Sequence, residues 1–490
     1  MEIRPNTKPP VVVSREEMMR QWELAGENRQ LLQHRMGHPA RAWVKTFGCQ
    51  GNVADSEKIM GLLLDMGCEP AVSEQEADII LYNTCAVREN AEVRLMSMVG
   101  ELRRLKQKNP TMIVGLCGCM MQQEEVVQQI RRSYPFVELI FGTHVLHTLP
   151  QMINRLLKGE RRVVDCYEGE GRENPIAEGL PIQRSGGVQA SLQIMYGCDN
   201  FCSYCIVPYV RGREVSREPD EIVREAREIL TMGYKEILLL GQNVNSYGKG
   251  LSKPVTFTDL LRRIESLEGD FRIRFMTSHP KDLSDELLHA MARHPNICRA
   301  IHLPAQSGNS RILELMNRKY TREWYLGRIE AIRRILPDCA ISTDLIAGFC
   351  TETEQEHRDT LSLMREVGYE FAFMFKYSER PNTKAARHMA DDVPENVKTA
   401  RLTQIIELQN ELSLESNRRD VGRTFEVLVE GVSKRRDDQL FGRTSQNKVV
   451  VLDRGVHRAG EYVTVRITGC TSATLTGEAL SVRDGGMPGH

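Results

Sequence analysis

Residues 191–205, SLQIMYGCDNFCSYC, join a short apolar strand to a loop with three cysteines, and they open a series of similar strands. Five further strand patterns follow, separated by amphipathic helices such as PDEIVREAREILTMG: KEILLLGQ, RIRFMTS, RAIHLPAQ, AISTDLIAGF and FAFMFKYS. Six βα units are too few for a closed eight-stranded barrel. The pattern therefore predicts an α/β fold with a partial (β/α)6 barrel, whose chemistry lies at the C-terminal ends of the strands.

The cysteines of this loop, Cys198, Cys202 and Cys205, have the spacing C-x3-C-x2-C. Thiolate is the soft ligand that iron-sulfur clusters require, and so tight a loop brings three sulfurs to one cube. Three ligands leave one iron open, where S-adenosylmethionine can bind through its amino and carboxylate groups and accept an electron at its sulfonium. The alternative is zinc, which needs a fourth Cys or His close by, and the loop holds none.

A second series of strands precedes the barrel. RAWVKTF, ADIILYN, TMIVGLCG and VELIFGT each lead into an amphipathic helix, which predicts a parallel α/β sheet that ends near Gly159. Cys49, Cys85 and Cys119 follow the first three strands, and the carboxyl ends of neighbouring parallel strands converge. We therefore predict a second three-thiolate site, in which Cys119 is preferred to Cys117 because it lies nearer the turn. Core packing is the alternative for each cysteine taken singly.

The composition and periodicity of the chain change at four places, which predicts five parts. Residues 1–40 form a polar arm with a helical run from Ser14 to Met36, 41–159 the first α/β domain, 160–187 a linker, 188–418 the barrel with a trailing helix, and 419–484 about five short strands. Such strands predict a small all-β barrel of the oligonucleotide-binding type. Its basic run Lys434, Arg435 and Arg436 is either a solvated turn or a phosphate-binding patch.

Composition limits the class of protein. A formal net charge of -1 over 490 residues gives no global sign of nucleic-acid binding, so an RNA surface would have to be local. We expect a cytoplasmic protein, because no stretch approaches the roughly 18 apolar residues of a membrane span and no secretion signal is evident. The cysteines outside the two sets are predicted to lie in the core or at the surface: Cys68, Cys166, Cys298, Cys339, Cys350 and Cys470.

Seven motifs resemble a known family: TFGCQGNVADSE, NTCAVRENAE, GCMMQ, YGCDNFCSYCIVPYVRGREVSR, SHPKDLSDELL, HLPAQSGNSRILELMNRKYT and STDLIAGF. Over about residues 41–484 the chain resembles the methylthiotransferases, and within them the members that act on isopentenylated adenosine of tRNA. The resemblance implies a methylthiotransferase N-terminal domain, a radical S-adenosylmethionine core and a TRAM domain. Three motifs depart from the usual pattern, at Gly51, at Cys350 with Thr351, and at Asn382, which puts loop shape near the cofactor in question.

The resemblance also implies roles for single residues. Cys49, Cys85 and Cys119 would hold an auxiliary [4Fe-4S] cluster, and Cys198, Cys202 and Cys205 the radical-generating, catalytic one. The S-adenosylmethionine or substrate pocket would be lined by Gln242, Asn243, Gln306, Ser307, Gly308, Asp344 and Gly348. The alternative for such residues is structural, since a buried Asp or Gln at a strand end also caps helices or satisfies backbone groups.

The implied reaction converts N6-isopentenyladenosine beside the tRNA anticodon to its 2-methylthio derivative, by hydrogen abstraction from C2, sulfur insertion and methylation from a second S-adenosylmethionine. Expected partners are the anticodon stem-loop and an electron donor such as a flavodoxin or ferredoxin, with no membrane and a monomeric state. Two alternatives stay open. One is a sister enzyme acting on threonylcarbamoyladenosine or a ribosomal aspartate, and the other is a non-catalytic iron-sulfur RNA-binding protein.

Overall fold

The computed structural model describes residues 11–86, 89–166 and 175–482. Four pieces of the predictions therefore lie outside the described residues: the first ten residues of the N-terminal arm, positions 87 and 88 of the NTCAVRENAE motif, linker residues 167–174, and the last two residues of the range 419–484. No helix in the described part of the chain is both long enough and apolar enough to cross a membrane.

The first part of the chain is a parallel sheet flanked by helices. Its elements are α1 (Arg15–Met36), β1 (Arg41–Thr46), α2 (Gln50–Asp65), β2 (Glu69–Pro70), β3 (Ile79–Thr84), α3 (Glu89–Lys108), β4 (Ile113–Gly118), α4 (Glu124–Ser133), β5 (Leu139–Phe141), α5 (Leu149–Leu157) and β6 (Val163–Asp165). The six strands pair in parallel in the order β2-β1-β3-β4-β5-β6. The four predicted strands are present, and β6 extends the sheet beyond its predicted end near Gly159. Strands as short as β2 and β6 show no periodicity that sequence could reveal.

Helix α1, the predicted helical run of the N-terminal arm, packs on α5. Its first turn is capped by Ser14, whose hydroxyl accepts from the Glu17 amide, and it ends at Gly37 in the left-handed conformation. Buried polar groups connect the two helices: the side-chain amide nitrogen of Asn28 on α1 donates to the Pro150 carbonyl of α5 at 2.7 Å. The face of α1 that packs on α5 contains both amide and apolar side chains. Because of this mixed composition, the sequence pattern predicted a polar arm and not a packing face.

The middle part forms the predicted open barrel. Its elements are β7 (Gln189–Gln193), β8 (Met195–Tyr196), α6 (Val207–Val210), β9 (Val215–Ser216), α7 (Pro219–Thr231), β10 (Glu236–Leu240), α8 (Phe257–Glu265), β11 (Arg272–Phe275), α9 (Asp285–Arg293), β12 (Ala300–His302), α10 (Ser310–Leu315), α11 (Arg322–Ile335), β13 (Ala340–Ala347), α12 (Glu354–Val367), β14 (Phe371–Lys376), α13 (Lys384–His388) and α14 (Glu395–Asp420). Two parallel three-stranded sheets, β7-β10-β11 and β12-β13-β14, meet at a parallel bridge between Ile273 and Ile297. Six parallel strands with outer helices confirm the partial (β/α)6 prediction.

The last part is a closed five-stranded barrel, as predicted. Its strands are β15 (Thr424–Val432), β16 (Gln439–Thr444), β17 (Val449–Asp453), β18 (Tyr462–Cys470) and β19 (Leu475–Val482), in the order β15-β16-β17-β19-β18. Pairing of β15 with β18 closes the barrel. Alternate side chains such as Val427, Val429 and Val463 fill its interior and are fully buried.

This small barrel sits at the N-terminal ends of the open barrel's strands, opposite the predicted chemistry. Arg272 donates to the Arg443 carbonyl at 2.9 Å and Arg274 to the Thr444 carbonyl at 3.2 Å. Both arginines also contact Glu236, which is 1% exposed. Burial alone would raise the pKa of Glu236, but Arg274 and Arg272 outweigh it and hold that pKa at about 2. The lower rim of the open barrel is therefore filled by charge-paired side chains and the small barrel.

Candidate functional site

Three cysteines of one loop lie at the C-terminal end of β7, where the fold predicts chemistry. We call Cys198, Cys202 and Cys205 the barrel cysteines. The Cys198 amide donates to the Gly212 carbonyl at 3.1 Å and the Cys205 amide to the Cys202 carbonyl at 3.0 Å, which closes the loop on itself. Burial, and next the neighbouring Cys202 thiolate, raise the pKa of Cys205 to about 12. Three thiolates so placed repel one another unless a cationic group lies between them, which a cluster's iron would supply.

A buried arginine contacts one of these sulfurs. Arg318 donates through Nη1 to Cys202 Sγ at 3.2 Å, through Nε to the Tyr320 hydroxyl at 3.0 Å, and through Nη2 to the Pro304 carbonyl at 2.9 Å. The turn before it is fixed by Asn317, whose amide donates to the Phe201 carbonyl at 2.9 Å. This turn lies within the motif HLPAQSGNSRILELMNRKYT, but the sequence alone predicted no role for Arg318.

The cysteines of the first domain also converge. Cys49 begins α2, Cys85 follows β3 and Cys119 follows β4, and we call them the N-terminal cysteines. Asn52 stands between two of them, with its Oδ1 3.4 Å from Cys49 Sγ and 3.8 Å from Cys119 Sγ. A Cβ atom on Gly48 would lie 2.9 Å from Cys85 Sγ, so that position has no room for a side chain. The parallel sheet thus brings the predicted set together at one edge.

Cys117, the competitor for the third place, is not part of this group. It lies on β4 at 0% exposure and packs with Ile79, Leu139 and other core residues. Cys119 instead faces Asn52 and the other two thiols, and burial raises its pKa to about 12, an effect that Arg211 opposes and the Cys49 charge strengthens. The choice of Cys119 from its nearness to the turn therefore agrees with the geometry.

Arg211 connects the two cysteine sets. It follows the loop of the barrel cysteines, yet its Nε donates to Cys119 Sγ at 3.1 Å in the first domain. Its Nη2 donates to Asp55 at 2.7 Å and to Asn52 at 3.2 Å. The guanidinium is 6% exposed and Asp55 7% exposed, so this is a buried ion pair between domains. In the sequence, Arg211 is marked only by its place in the motif YGCDNFCSYCIVPYVRGREVSR.

We expect the Arg211–Asp55 pair to matter for stability because it is a buried ion pair that joins two domains. Arg211→Met should lower the thermal unfolding temperature, since removing one partner of a buried pair costs about 3–5 kcal/mol. The double variant Arg211→Met with Asp55→Leu should recover part of that loss, because Asp55 then no longer stands as a buried charge without its guanidinium partner. Differential scanning fluorimetry of the iron-loaded protein measures both. A double variant no more stable than Arg211→Met would contradict this account.

The spacing of the cysteines predicts iron-sulfur clusters and not single ions. Among the described residues, no group of three His, Cys, Asp or Glu side chains is set to bind one metal ion. In a cubane each thiolate binds a different iron, so its three sulfurs stand further apart than ligands of one ion. The alternative for the barrel cysteines was a zinc site with four close ligands, and the described residues contain no such group.

Four of the seven predicted pocket residues are held by protein contacts. The Asn243 side chain accepts from the His279 amide at 2.9 Å and donates to Asp282 at 2.7 Å. The Gly308 amide donates to Thr360 Oγ1 at 3.0 Å, and Ser307 Oγ lies 3.5 Å from the same oxygen. A Cβ on Gly348 would lie 2.4 Å from Lys398 Cγ. These contacts favour the structural alternative for the four.

Of the other three, Gln242 and Gln306 follow the C-terminal ends of β10 and β12, and Asp344 lies in the middle of β13. Gln306 is bound to β13 by its backbone, with its amide donating to the Asp344 carbonyl at 2.8 Å. The Asp344 carboxylate lies 3.3 Å from His302 Nε2. Gln242 follows β10 in the other half of the barrel and is partly exposed. These three residues place polar side chains in the half of the fold that also contains the barrel cysteines.

Several buried polar atoms at this end have no hydrogen-bond partner in the described structure. Among them are Oε1 of Gln193, the last residue of β7, and Nε2 of His279, just after β11. Burial, and then the positive charges of Arg318 and Lys281, lower the pKa of His279 well below its usual value, so the imidazole stays neutral. Unsatisfied buried polar atoms are expected where a polar ligand completes the site, and S-adenosylmethionine is such a ligand. Sequence reasoning named neither residue.

Two residues at the motif departures have unusual backbone angles. Thr351 and Asn382 both have a positive φ, 62° and 67°. Asn tolerates this region, whereas β-branched Thr is strained there. Thr351 is held by its neighbours, because its amide donates to Asp392 at 2.7 Å and its carbonyl accepts from Arg311 at 2.9 Å. Around Gly51 a Cβ would meet Cys49 Sγ at 3.6 Å, an ordinary contact.

Three family models match successive parts of the chain. Residues 41–142 match the uncharacterized protein family UPF0004, residues 192–364 the radical SAM superfamily, and residues 418–480 the TRAM domain. Among solved structures, the radical S-adenosylmethionine methyltransferase TsrM from Kitasatospora setae aligns with a TM-score of 0.52 at 15% identity, over 71% of this chain and 77% of that one. That likeness shows the fold alone.

Curated relatives match almost the whole chain. The tRNA-2-methylthio-N(6)-dimethylallyladenosine synthase of Bacteroides thetaiotaomicron is 51% identical over 90% of this chain and 96% of its own length. The synthase of the same name from Desulforamulus reducens is 46% identical over 93% of this chain and 99% of its own length. With these identities over nearly both full lengths and the three matching domains, the chain belongs to the family of tRNA-2-methylthio-N(6)-dimethylallyladenosine synthases.

Proposed function

We propose that this chain is a radical S-adenosylmethionine methyltransferring and sulfur-inserting enzyme that converts N6-isopentenyladenosine beside the tRNA anticodon to 2-methylthio-N6-isopentenyladenosine. The observation that carries the proposal is the pairing of two separate three-cysteine sets in a chain 51% identical to a synthase of that name. The C2–H bond of adenine is not acidic, so general acid–base catalysis does not open it and radical chemistry is required.

Each set has an assigned role in this proposal. The barrel cysteines Cys198, Cys202 and Cys205 hold the radical-generating [4Fe-4S] cluster, and the N-terminal cysteines Cys49, Cys85 and Cys119 hold the auxiliary one. When bound, the first cluster would supply the electron that cleaves S-adenosylmethionine, and the deoxyadenosyl fragment would take the hydrogen from C2. The auxiliary cluster would supply the sulfur that replaces this hydrogen, and a second S-adenosylmethionine would supply the methyl group.

The protein's own side chains orient and tune these sites. Arg318 on Cys202 and Arg211 on Cys119 each donate a charge-assisted hydrogen bond to a coordinating sulfur, which stabilises its negative charge and fixes its position. Hydrogen bonds to cluster sulfurs also shift reduction potentials. Neutral His279 offers its Nε2, and Gln193 its Oε1, to S-adenosylmethionine or the adenine.

The substrate is the anticodon stem-loop of tRNA, held through phosphate contacts by the TRAM-like barrel. An electron donor such as a flavodoxin or ferredoxin reduces the protein, which acts as a monomer in the cytoplasm. The alternatives differ in product. A sister enzyme would modify threonylcarbamoyladenosine or a ribosomal aspartate, and a non-catalytic RNA-binding protein would form no deoxyadenosine.

The experiment that tests the function uses the full chain with both clusters reconstituted anaerobically. It is incubated with S-adenosylmethionine, dithionite and tRNA bearing isopentenyladenosine, and the digested nucleosides are analysed by chromatography and mass spectrometry. The proposal requires a nucleoside whose mass corresponds to replacement of H by SCH3. Turnover confined to threonylcarbamoyladenosine tRNA or to a ribosomal protein would establish a sister activity instead.

We expect the exposed pair Lys434 and Arg435, between β15 and β16, to contribute to tRNA binding. Their double substitution by alanine should weaken binding and reduce the dependence of log Kd on log salt by up to about 0.9 for each phosphate that the variant no longer neutralises. The matched control is the double alanine variant of Arg131 and Arg132, an exposed pair on α4 of the first domain. Equal tRNA affinity for the two double variants, measured across salt, would show that the loop is only a solvated turn.

These substitutions are preferable to deleting the barrel after Arg419. Removing it would uncover Arg272 and Arg274, which donate to carbonyls of the small barrel, and would remove the Tyr462 hydroxyl bond to the Lys235 carbonyl. A truncated protein would therefore confound RNA binding with damage to the open barrel's lower rim.

A further inference from the structure

Most of the open barrel's concave face is already covered by the protein itself. Ala54 of α2 packs against Leu238, Leu240 and Met276, so the first domain covers the half formed by β7, β10 and β11. The lower rim is filled by the small barrel and the group around Glu236. On the remaining half, formed by β12, β13 and β14, Ser342 and Asp344 are partly exposed in the described structure.

Strand β14 presents three aromatic rings on that half. Phe371, Phe373 and Phe375 are 51%, 37% and 44% exposed, and we call them the phenylalanine row. Alternate residues of a strand share a face, and the intervening Ala372 and Met374 are turned the other way, Met374 packing against the core under the outer helices. The row therefore lies on the face away from the helices, which is the concave one.

Neighbouring strands confirm this orientation. The His302 ring lies 5.8 Å from that of Phe373, and the Asp344 carboxylate lies 3.3 Å from His302. In the β13–β14 register, Ser342 is opposite Phe371 and Asp344 is opposite Phe373. Ile341 and Leu345, which alternate with these polar residues on β13, pack instead in the helix-covered core. The row thus shares its face with polar groups of the predicted pocket and runs along the strand toward the barrel opening.

Three exposed phenylalanines on one face call for a partner, because each aromatic ring can bury a large apolar area. The charge beside the row indicates which kind. Residues 377–388, which follow β14 at the opening, contain three Lys or Arg residues and one acidic residue, Glu379, and Lys384 and Arg387 are exposed. A partner that combines flat apolar faces with negative charge is single-stranded nucleic acid, whose bases stack on aromatic side chains while basic groups contact phosphates.

We propose that the phenylalanine row stacks the unpaired bases of the RNA loop that flank the target adenosine. The inference rests on the proposed function and adds the surface that recognises the loop. The Phe371 and Phe373 rings pack edge to face, 4.8 Å apart, and form one aromatic platform, and Phe375 is the next ring along the strand, so the row can stack bases of a splayed loop. The row thereby leads the loop along the uncovered half of the barrel to the end where the cysteines lie.

The test is fluorescence anisotropy with a labelled anticodon stem-loop RNA that contains isopentenyladenosine, on the full iron-loaded chain. Phe371→Ala, Phe373→Ala and Phe375→Ala should each weaken binding by roughly tenfold, the order expected when one base–aromatic stack is removed. The salt dependence should stay unchanged because the rings carry no charge and neutralise no phosphate. Phe373→Tyr should retain affinity, whereas Phe373→Leu, which is apolar but cannot stack, should bind as weakly as Phe373→Ala.

Trp22→Ala is the matched control, since Trp22 is a comparably exposed aromatic, at 46%, on α1 of the first domain. Iron content and unfolding temperature show that each variant is folded and loaded. The stacking role of the phenylalanine row would be refuted if the alanine variants bind RNA within twofold of the unsubstituted protein. The proposed function would stand in that case, provided that the unsubstituted protein still forms the methylthio product. Full affinity in Phe373→Leu would also overturn it, because the row would then supply apolar burial and not stacking. An unsubstituted protein that forms no methylthio product would reject the proposed function itself.

Discussion

Replacing Cys49, Cys85 and Cys119 together by alanine is expected to abolish methylthiolation of tRNA while cleavage of S-adenosylmethionine to 5′-deoxyadenosine survives. The N-terminal cysteines lie on strand ends of the first domain, whereas the barrel cysteines come from one loop of the second. The sulfur-supplying site would lose every protein ligand, but the loop that binds S-adenosylmethionine would keep all of its own. The converse triple variant of Cys198, Cys202 and Cys205 should lose both activities.

Both products are measured side by side by chromatography and mass spectrometry, with iron determined in the same samples. Two [4Fe-4S] clusters correspond to about eight iron atoms per chain, and each triple variant should retain about four. Cys117→Ala is the control for loss of a first-domain cysteine outside the set, because Cys117 is close in sequence to Cys119 but packs in the core. If the first triple variant still thiolates tRNA, the auxiliary assignment is wrong. If it keeps about four iron atoms but forms no deoxyadenosine, the two sites are not separable.

RNA that lacks the isopentenyl group should be a poor substrate. The five-carbon tail contributes roughly 0.8 kcal/mol per buried CH2, so its full burial in the transition state would be worth about 4 kcal/mol, or roughly a thousandfold in kcat/KM. The measurement is a competition between isopentenylated and unmodified stem-loops of one sequence, with the methylthio product of each quantified. Equal turnover of the two RNAs would rule out recognition of the tail, and with it the isopentenyl-specific assignment.

Local patterns in the sequence were sufficient for much of the architecture. Short β-branched runs between amphipathic helices predict the six parallel barrel strands and the first sheet, and the Gly-separated runs near the end predict the closed small barrel. Cysteine positions relative to strand ends also predict which thiols meet, because parallel strands place their carboxyl ends along one edge. These features depend on periodicity and spacing, which the sequence displays directly.

The features that sequence did not reveal depend on contacts between distant parts of the chain. Arg211 reaches Cys119 and Arg318 reaches Cys202 only through the packed fold, so neither has a local pattern. In FAFMFK apolar residues occupy both faces of β14, so the exposed ring face cannot be told from the buried one. For the same reason the sequence did not show that the Asn243 side chain accepts from the His279 amide, or that the Gly308 amide donates to Thr360 Oγ1.

The central claim, radical chemistry at C2 of isopentenyladenosine, is tested most directly by the fate of the hydrogen at that carbon. A stem-loop RNA with deuterium at C2 of the isopentenyladenosine is incubated with the reduced protein and unlabelled S-adenosylmethionine, and the 5′-deoxyadenosine is analysed by mass spectrometry. The account predicts one deuterium in the deoxyadenosine for each methylthio nucleoside formed. Methylthio product accompanied only by unlabelled deoxyadenosine would contradict it.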